Sequence, residues 1–309
     1  MITADVCIIC GNDVIKWRGT IAPFIVDYVF EGRLSDYNLC YCKRCQMIFS
    51  DMRLDERETR RLYVNYRGED YCRIRESYEP GYIKINEKIG KDPHGNRIRK
   101  KFIEHIISNG NIAKVRSVLD YGGDQGQLIP EIFAEANRYV YDISGVDSIR
   151  GVKSVATAEA AAPYDLIMCC GVLEHASFPA MLLELFKGLL TKNGFLYVEV
   201  PAGIPTQRYF DLTLGRKWLN RLWHPQMHEH INYFTNASLR NALLIHGFSP
   251  LSSQIMILDL GWCLSPVIGC LAVSHSAEKA VKYGTLNLFL EGIEYGIKRN
   301  LLPPFRLSS

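Results

Sequence analysis

Val118-Leu119-Asp120-Tyr121-Gly122-Gly123-Asp124-Gln125-Gly126 is the stretch that decides the fold of this chain. Two apolar β-formers run into three glycines, and an apolar, helix-compatible segment with Leu128, Ile129, Ile132 and Phe133 follows. The pattern predicts a strand, a tight glycine turn and a helix start, a geometry that lets the backbone approach a nucleotide-like ligand closely. No Gly-Lys-Ser/Thr closes the turn, so it is not a phosphate-binding P-loop. The glycines at 122, 123 and 126 also miss the G-x-G-x-x-G spacing of a dinucleotide fingerprint. The pattern reads Asp-x-Gly-x-x-x-Gly. An acid ending the strand suits a ligand with positive charge and hydroxyls better than a pyrophosphate.

Outward from this turn, the sequence alternates apolar strand-like runs with helical spacing, the mark of a parallel sheet with crossover helices. Residues 115–120 read as the first strand and 139–142 as the second, with Asp142 placed 22 positions after Asp120. Residues 164–170 read as a buried strand and 180–190 as an amphipathic helix ended by Asn193-Gly194. Residues 195–200 form a further strand that Pro201 stops. In open sheets of this kind ligands lie beyond the carboxyl ends of the strands, where strand order reverses. That gathers the glycine turn, Asp142 and the segments after Cys170 and Pro201 around one crevice. Asp142 can accept from both hydroxyls of a ribose, a device that would serve NAD equally well.

The first fifty residues read differently. Cys7-x-x-Cys10 and Cys42-x-x-Cys45 are two chelating pairs separated by 31 residues, and they suit one tetrahedral, structural zinc. Cys40 is an alternative to Cys42. The intervening 24–26, 28–30 and 37–39 could form a small sheet. Cys169, Cys170, Cys263 and Cys270 sit in apolar runs and read as core. Residues 1–50 are therefore expected to be a zinc-binding module. Residues 51–112 read as a helical linker or lid contributing to the active site, with helical spacing in 54–63. Residues 113–309 read as the α/β core. The basic run Arg97-Ile98-Arg99-Lys100-Lys101 reads as a solvated helix face.

Of 309 residues, 48% are hydrophobic and 22% charged, as in an ordinary soluble protein. A net charge of +3 argues against a nucleic-acid partner held by bulk electrostatics. No signal-like segment opens the chain, and the longest apolar run, 255–273, is broken by Asp259, Gly261, Ser265 and Pro266. It reads as two strands and a turn rather than a membrane span, and the expected location is the cytoplasm.

The glycine turn resembles motif I of the class I S-adenosylmethionine (SAM) dependent methyltransferases, Asp-x-Gly-x-Gly-x-Gly. Asp120, Gly122 and Gly126 match, and Asp124 stands where the middle glycine is usual. Gly171-Val172-Leu173-Glu174-His175 and 196–201 look like the segments that follow in that class. Met227-His228-Glu229-His230-Ile231-Asn232-Tyr233-Phe234-Thr235 resembles the His-Glu-His-x-x-Tyr-Phe segment of bacterial sugar methyltransferases that carry an N-terminal zinc-binding module. The cysteine pairs and Tyr66-Arg67-Gly68-Glu69-Asp70-Tyr71 extend the resemblance across nearly the whole chain. It implies a Rossmann-like, seven-stranded sheet and SAM bound by Asp120, Gly122, Gly123, Gly126 and Asp142. It also implies proton-transfer roles for Glu229 and His230, acceptor contacts for His228 and Tyr233, and His175 near the methyl-donor end.

The best known of these enzymes methylate carbon on nucleotide-linked keto-sugars and continue into another α/β domain. Here 76 residues follow Tyr233, mostly needed to finish the sheet. The expected reaction is therefore O-methylation of a sugar or saccharide in surface-polysaccharide or secondary-metabolite biosynthesis. The alternatives are C-methylation of a nucleotide-linked keto-sugar and a non-catalytic SAM-fold zinc protein that assembles a complex.

Overall fold

A seven-stranded sheet, a five-stranded sheet and a two-stranded ribbon organise the described residues, and the stretch that carries the histidines spans the edges of the five-stranded one. The structure is a computed structural model that describes residues 2–34, 36–63, 65–87, 93–110, 112, 114–203, 226–259 and 264–275.

The N-terminal part begins with β1 (Ile2–Thr3), β2 (Ile15–Ile21), α1 (Pro23–Tyr28), β3 (Asp36–Tyr41), β4 (Ile48–Ser50) and β5 (Met52–Arg53). β2, β3 and β4 form an antiparallel meander, and β1 pairs with β5. Of the three stretches expected to be strands, only 37–39 is one. The chain at 24–26 is helical because Pro23 presets φ in the first turn. Phe24, Ile25 and Val29, a helical turn apart, then bury one side. Four helices follow: α2 (Glu56–Tyr63), α3 (Glu69–Tyr78), α4 (Tyr82–Asn86) and α5 (Pro93–Asn109). A capping box starts α2. The Asp55 carboxylate accepts from the Glu58 N–H at 2.9 Å, and the Glu58 carboxylate accepts from the Asp55 N–H at 2.9 Å. Phe24, Phe30, Tyr37, Leu39, Ile48 and Tyr71 form a core under the meander.

The core sheet is built from β6 (Ser117–Tyr121), β7 (Asn137–Tyr141), β8 (Lys153–Ser154), β9 (Tyr164–Cys170) and β10 (Leu190–Pro201), with α6 (Pro179–Leu189) before β10. Two short strands, β11 (Gln226–Met227) and β12 (Asn232–Tyr233), precede α7 (Asn236–Ile245). The long pair β13 (Phe248–Asp259) and β14 (Leu264–Ser274) closes the described chain. The sheet order is β13-β14-β10-β9-β6-β7-β8. β10, β9, β6, β7 and β8 are parallel, and β14 is antiparallel to both neighbours. This is the expected Rossmann-like α/β sheet of seven strands. The run 255–273 is two strands, as its interruptions predict.

Period-two burial divides the sheet into two faces. Val118, Leu166, Met168 and Leu271 meet α5 through Phe102, Ile103, Ile106 and Ile107. Leu119, Ile167, Cys169, Val198 and Cys270 meet α6 and α7 on the other side. Cys169, Cys170 and Cys270 are core residues as expected, and Cys263 lies outside the described residues. Gly269 is where α5 crosses closest, since a Cβ there would lie 2.5 Å from Ile106 and 2.9 Å from Phe102.

Two local expectations fail. No α-helix follows the glycine turn; 123–129 is a chain of turns, and Glu131–Phe133 makes a single 3-10 turn. Pro130 removes a donor and disfavours helical backbone just before it, yet Leu128, Ile129 and Phe133 still bury against the sheet. The helix before β10 ends at Leu189, ahead of Asn193-Gly194. That dipeptide instead sits in an irregularity of β10, with Asn193 at φ 61°.

β11 and β12 do not join the core sheet. β11 adds to β2 in parallel and β12 adds to β4 antiparallel, giving the order β11-β2-β3-β4-β12. His228-Glu229-His230 is thus slung between the two edges of the N-terminal sheet.

Candidate active site and metal centre

The glycine turn lies at the carboxyl end of β6, between β7 and β9. Gly122, Asp124 and Gly126 have φ of 69°, 53° and 77°. Asp124 therefore adopts the left-handed backbone that glycine usually supplies there, a region that Asp tolerates better than most residues. The turn is also close-fitting. A Cβ on Gly122 would lie 2.5 Å from Val172, and one on Gly123 would lie 2.2 Å from the Asp120 carboxyl carbon. Asp120 is fully buried, and neither carboxylate oxygen has a hydrogen-bond partner among the described residues. Burial pushes its pKa up to about 7. Asp142 follows β7, and its two oxygens accept from the N–H groups of Asp124 at 2.9 Å and Ser144 at 2.8 Å. Each oxygen keeps a second lone pair for an incoming hydroxyl.

Beneath this site is a group the sequence reading missed. Arg99 turns inward from α5, and its Nε donates to Glu199 on β10 at 2.9 Å. Of the four basic residues expected on a solvated face, Arg99 is thus in an ion pair with a 3% exposed carboxylate. An arginine between two apolar helical positions, Ile98 and Phe102, was the available signal.

The other wall is assembled from three distant stretches. Ile231 and Asn232 both donate their N–H to the carbonyl of Glu174 at 3.0 Å. The Asn232 side chain donates to the carbonyls of Leu173 at 2.8 Å and Ala176 at 2.7 Å. Arg53 on β5 is fully buried and has no carboxylate partner among the described residues. It donates to Asn232 Oδ1 at 2.7 Å, Ile231 O at 3.0 Å and Ser177 O at 3.2 Å. Burial lowers the Arg53 pKa to about 9. These bonds fasten the segment after β9 to the His-Glu-His stretch.

His175 and His230 meet edge to face with ring centroids 4.7 Å apart. His175 Nδ1 lies 2.9 Å from Tyr63 Oη and 3.1 Å from the Glu229 carbonyl. Burial lowers the pKa of His175, and burial together with the charge of His175 lowers that of His230 to about 3. Both rings are therefore neutral at ordinary pH. Glu229 points away from them. Its carboxylate accepts from Tyr66 at 3.2 Å and, more closely, from Tyr71 and Arg75. Burial pushes the Glu229 carboxyl up, but Arg75, Tyr71, His175 and Arg67 together bring it below the ordinary carboxylate range. His228 faces elsewhere again, with Nδ1 3.5 Å from Glu79. The two histidines flanking Glu229 hence do not share a face, because 228–231 is bent rather than extended. Tyr233 lies on β12, paired with Ile48. The anchoring Tyr63, Tyr66 and Arg75 were not assigned roles from sequence. The four-residue spacing of Tyr71, Arg75 and Glu79 along α3 was the signal available.

Cys7, Cys10, Cys42 and Cys45 converge, with Sγ atoms 3.4 Å apart for Cys7–Cys45, 3.5 Å for Cys10–Cys42 and 3.7 Å for Cys10–Cys45. Four thiolates about 2.3 Å from a tetrahedral zinc stand about 3.8 Å apart, so the donor set fits that ion. The knuckles are alike. The N–H of Gly11 returns to Cys7 O and that of Gln46 to Cys42 O, each at 2.9 Å. Gly11 and Gln46 both have positive φ, 70° and 61°. Cys40 is outside the cluster; its Sγ turns to the Asn38 carbonyl at 3.8 Å. The knuckles rest on α7 and its end: Asn241 donates to Cys45 O at 3.2 Å, and His246 Nε2 lies 3.1 Å from Ile9 O.

The fold and crevice define a SAM-dependent methyltransferase of class I. Residues 95–253 match the model of the methyltransferase-domain family, and the chain belongs to that family. No curated protein matches the chain. Among solved structures it is similar to a 1,6-didemethyltoxoflavin N1-methyltransferase from Burkholderia thailandensis, at 15% identity and a TM-score of 0.45 over 76% of this chain and 99% of that one. It is also similar to a magnesium protoporphyrin IX methyltransferase from Synechocystis, at 19% identity and 0.43 over 71% and 100%. Among the described residues no helix is long and apolar enough to cross a membrane.

Proposed function

We propose that this methyltransferase alkylates a hydroxyl of a sugar or saccharide, nucleotide-linked or not. The observation that carries the reading is the meeting of His175 and His230 beside the loop that touches Gly122, under a wall of Tyr63, Tyr66 and Tyr71. Aromatic faces and neutral imidazoles suit a polyhydroxylated, uncharged ring.

SAM lies with its methionine part over Gly122 and Gly123, its ammonium toward Asp120 and its ribose on Asp142. Gly126 gives the backbone room to turn beneath it. The sulfonium is already a good leaving group, so the protein's main task is to align the acceptor for in-line displacement. As the acceptor oxygen bonds to the methyl carbon, the sulfur keeps the electrons of the broken bond. The hydroxyl proton passes to the neutral imidazole of His230, with His175 as the neighbouring alternative. Glu229 acts through Tyr66, Tyr71 and Arg75 and positions His230, and Tyr233 flanks the acceptor; the acceptor contact expected of His228 is lost because its ring is turned to Glu79. A structural zinc on Cys7, Cys10, Cys42 and Cys45 holds the module of residues 1–50 in shape. Of residues 51–112, α2 to α4 cover the crevice and α5 packs on the core sheet, which the described residues after 113 build.

The test is a co-crystal with S-adenosylhomocysteine and a panel of nucleotide sugars, together with methyl incorporation from labelled SAM. Sugar density against His230 is expected. SAM binding without transfer to any saccharide in the panel would remove the acceptor assignment and leave methyl transfer standing.

A further inference from the structure

We infer that Glu174, His175 and His230 form a second metal site, one that takes a divalent first-row transition cation and is separate from the four-cysteine cluster. One ligand atom from each of the three residues lies within 4.8 Å of the other two. The His175 Nε2 to Glu174 Oε1 distance is 4.0 Å. Three observations aim these atoms at a common point rather than merely placing them close together.

The first is a tautomer argument. His175 Nδ1 lies 3.1 Å from the Glu229 carbonyl. Tyr63 Oη, 2.9 Å from the same Nδ1, can accept or donate, but a carbonyl only accepts, so the tautomer that satisfies the carbonyl protonates Nδ1 and leaves the Nε2 lone pair for a cation. A ring N–H held by a backbone carbonyl is the outer-shell support that metal-bound histidines usually have. The second is an unmet acceptor. The Glu174 side chain is 4% exposed, and among the described residues its Oε2 has no hydrogen-bond partner. A buried carboxylate oxygen left unpaired carries a cost that a cation would remove. The third is preorganisation. The Glu174 carbonyl accepts the N–H groups of both Ile231 and Asn232, fixing His230 one residue from that rung.

Two imidazoles and one carboxylate favour a cation such as Zn²⁺, Mn²⁺ or Fe²⁺ over Mg²⁺ or Ca²⁺, which prefer all-oxygen sites. Ligands about 2.1 Å from such an ion stand roughly 3.0–3.4 Å apart, so the side chains close by about an ångström on loading. Three protein ligands leave positions open toward the crevice for oxygens of the acceptor. In the loaded state His230 would be a ligand, the cation would lower the pKa of the acceptor hydroxyl, and the proton would pass to water in the crevice; His230 is the proton acceptor of the metal-free protein.

The site is tested on the full chain carrying zinc on its cysteines, because Mn²⁺ binds too weakly to displace zinc from thiolates. Titration with Mn²⁺ followed by electron paramagnetic resonance should show one bound ion per chain. Glu174→Gln and His230→Ala should each weaken it at least tenfold, whereas His228→Ala should bind as the parent does. Calorimetric binding of S-adenosylhomocysteine checks that every variant is folded. If one variant fails that check, the comparison is carried by the other, and Co²⁺ bound to the parent should show the spectrum of nitrogen and oxygen ligands. Absence of Mn²⁺ and Co²⁺ binding in folded parent protein would overturn the site, as would undiminished Mn²⁺ binding in a folded variant. Because the readout is metal binding alone, failure of the saccharide assignment leaves this result untouched.

Discussion

Under the proposed function, the cofactor side and the acceptor side of the crevice are built by opposite strategies. The cofactor side is local: Asp120, Gly122, Asp124 and Gly126 belong to one strand and the turn after it, and Asp142 ends the adjacent strand. Its geometry is fixed by backbone dihedrals and by close packing on Val172 and Val152. The acceptor side is composite. His175 follows β9, His230 lies between two strands that extend the N-terminal sheet, and Tyr63, Tyr66, Tyr71 and Arg75 come from α2, α3 and the turn joining them. Nothing local holds it. Its integrity depends on Arg53, Asn232 and the pairing of β11 and β12 with the meander. A perturbation of the N-terminal module should therefore abolish methyl transfer while sparing SAM binding.

The largest effect should come from the cysteines. Structural zinc contributes about 10–16 kcal/mol of apparent binding free energy in small modules, far more than the meander can lose. Cys45→Ser should release the metal, detach β11 and β12, and remove measurable turnover. Binding of S-adenosylhomocysteine should survive within about tenfold. Metal analysis and calorimetry on the same sample check both halves; equal loss of cofactor binding would break the contrast between the two sides.

Next is His230→Ala, expected to lower kcat by roughly 10²–10⁴ with the SAM dissociation constant nearly unchanged. A variant that turns over normally would move the proton-accepting role to His175. One that no longer binds SAM would make the ring a structural part of the cofactor side.

Asp142→Ala should weaken SAM by about 1–3 kcal/mol, the cost of leaving polar partners unpaired, while leaving kcat at saturating SAM within a few-fold. Its lost bonds to Asp124 and Ser144 also loosen the turn. Competition binding with S-adenosylhomocysteine measures this, and an unchanged constant would detach the ribose from β7.

The smallest expected signal is in proton uptake. Burial raises the Asp120 pKa from 3.8 to about 7 in the folded chain. Between those values the folded state binds more protons than the unfolded one, so this group's contribution to stability falls as pH rises from about 4 to 7. An ammonium brought beside Asp120 favours the ionised form. SAM binding near pH 6 should then release up to one proton, seen as a dependence of calorimetric heat on buffer ionisation, and Asp120→Asn should abolish it. A release that persists in that variant would place the ammonium elsewhere.

The glycine turn and the strands beside it were legible in the sequence because they are written in short-range terms. Glycines at positions needing positive φ, an acid at a strand end and a buried strand on each side can be read without knowing any distant contact. It erred at the helix after the turn, where apolar spacing outweighed Pro130, and at 24–26, where apolar runs suggested strand but Pro23 and one-sided burial produced a helix. The chelating cysteine pairs were legible for the same local reason, and their spacing left Cys40, which only the folded hairpin directs away, open as an alternative to Cys42.

By itself, then, the sequence determined the strand-turn unit, the alternating α/β pattern of the core and the two cysteine knuckles, since each follows from residues within a few positions of one another, while the count of seven strands came from the resemblance. Only the tertiary structure decided where the histidines point. His228, Glu229 and His230 are adjacent in the chain, yet one faces Glu79, one is taken by Arg75 and two tyrosines, and one meets His175. No periodicity encodes that divergence. It arises because the segment has no regular structure of its own and is shaped by the sheet edges at its two ends and by the buried donors and acceptors on either side that must find partners.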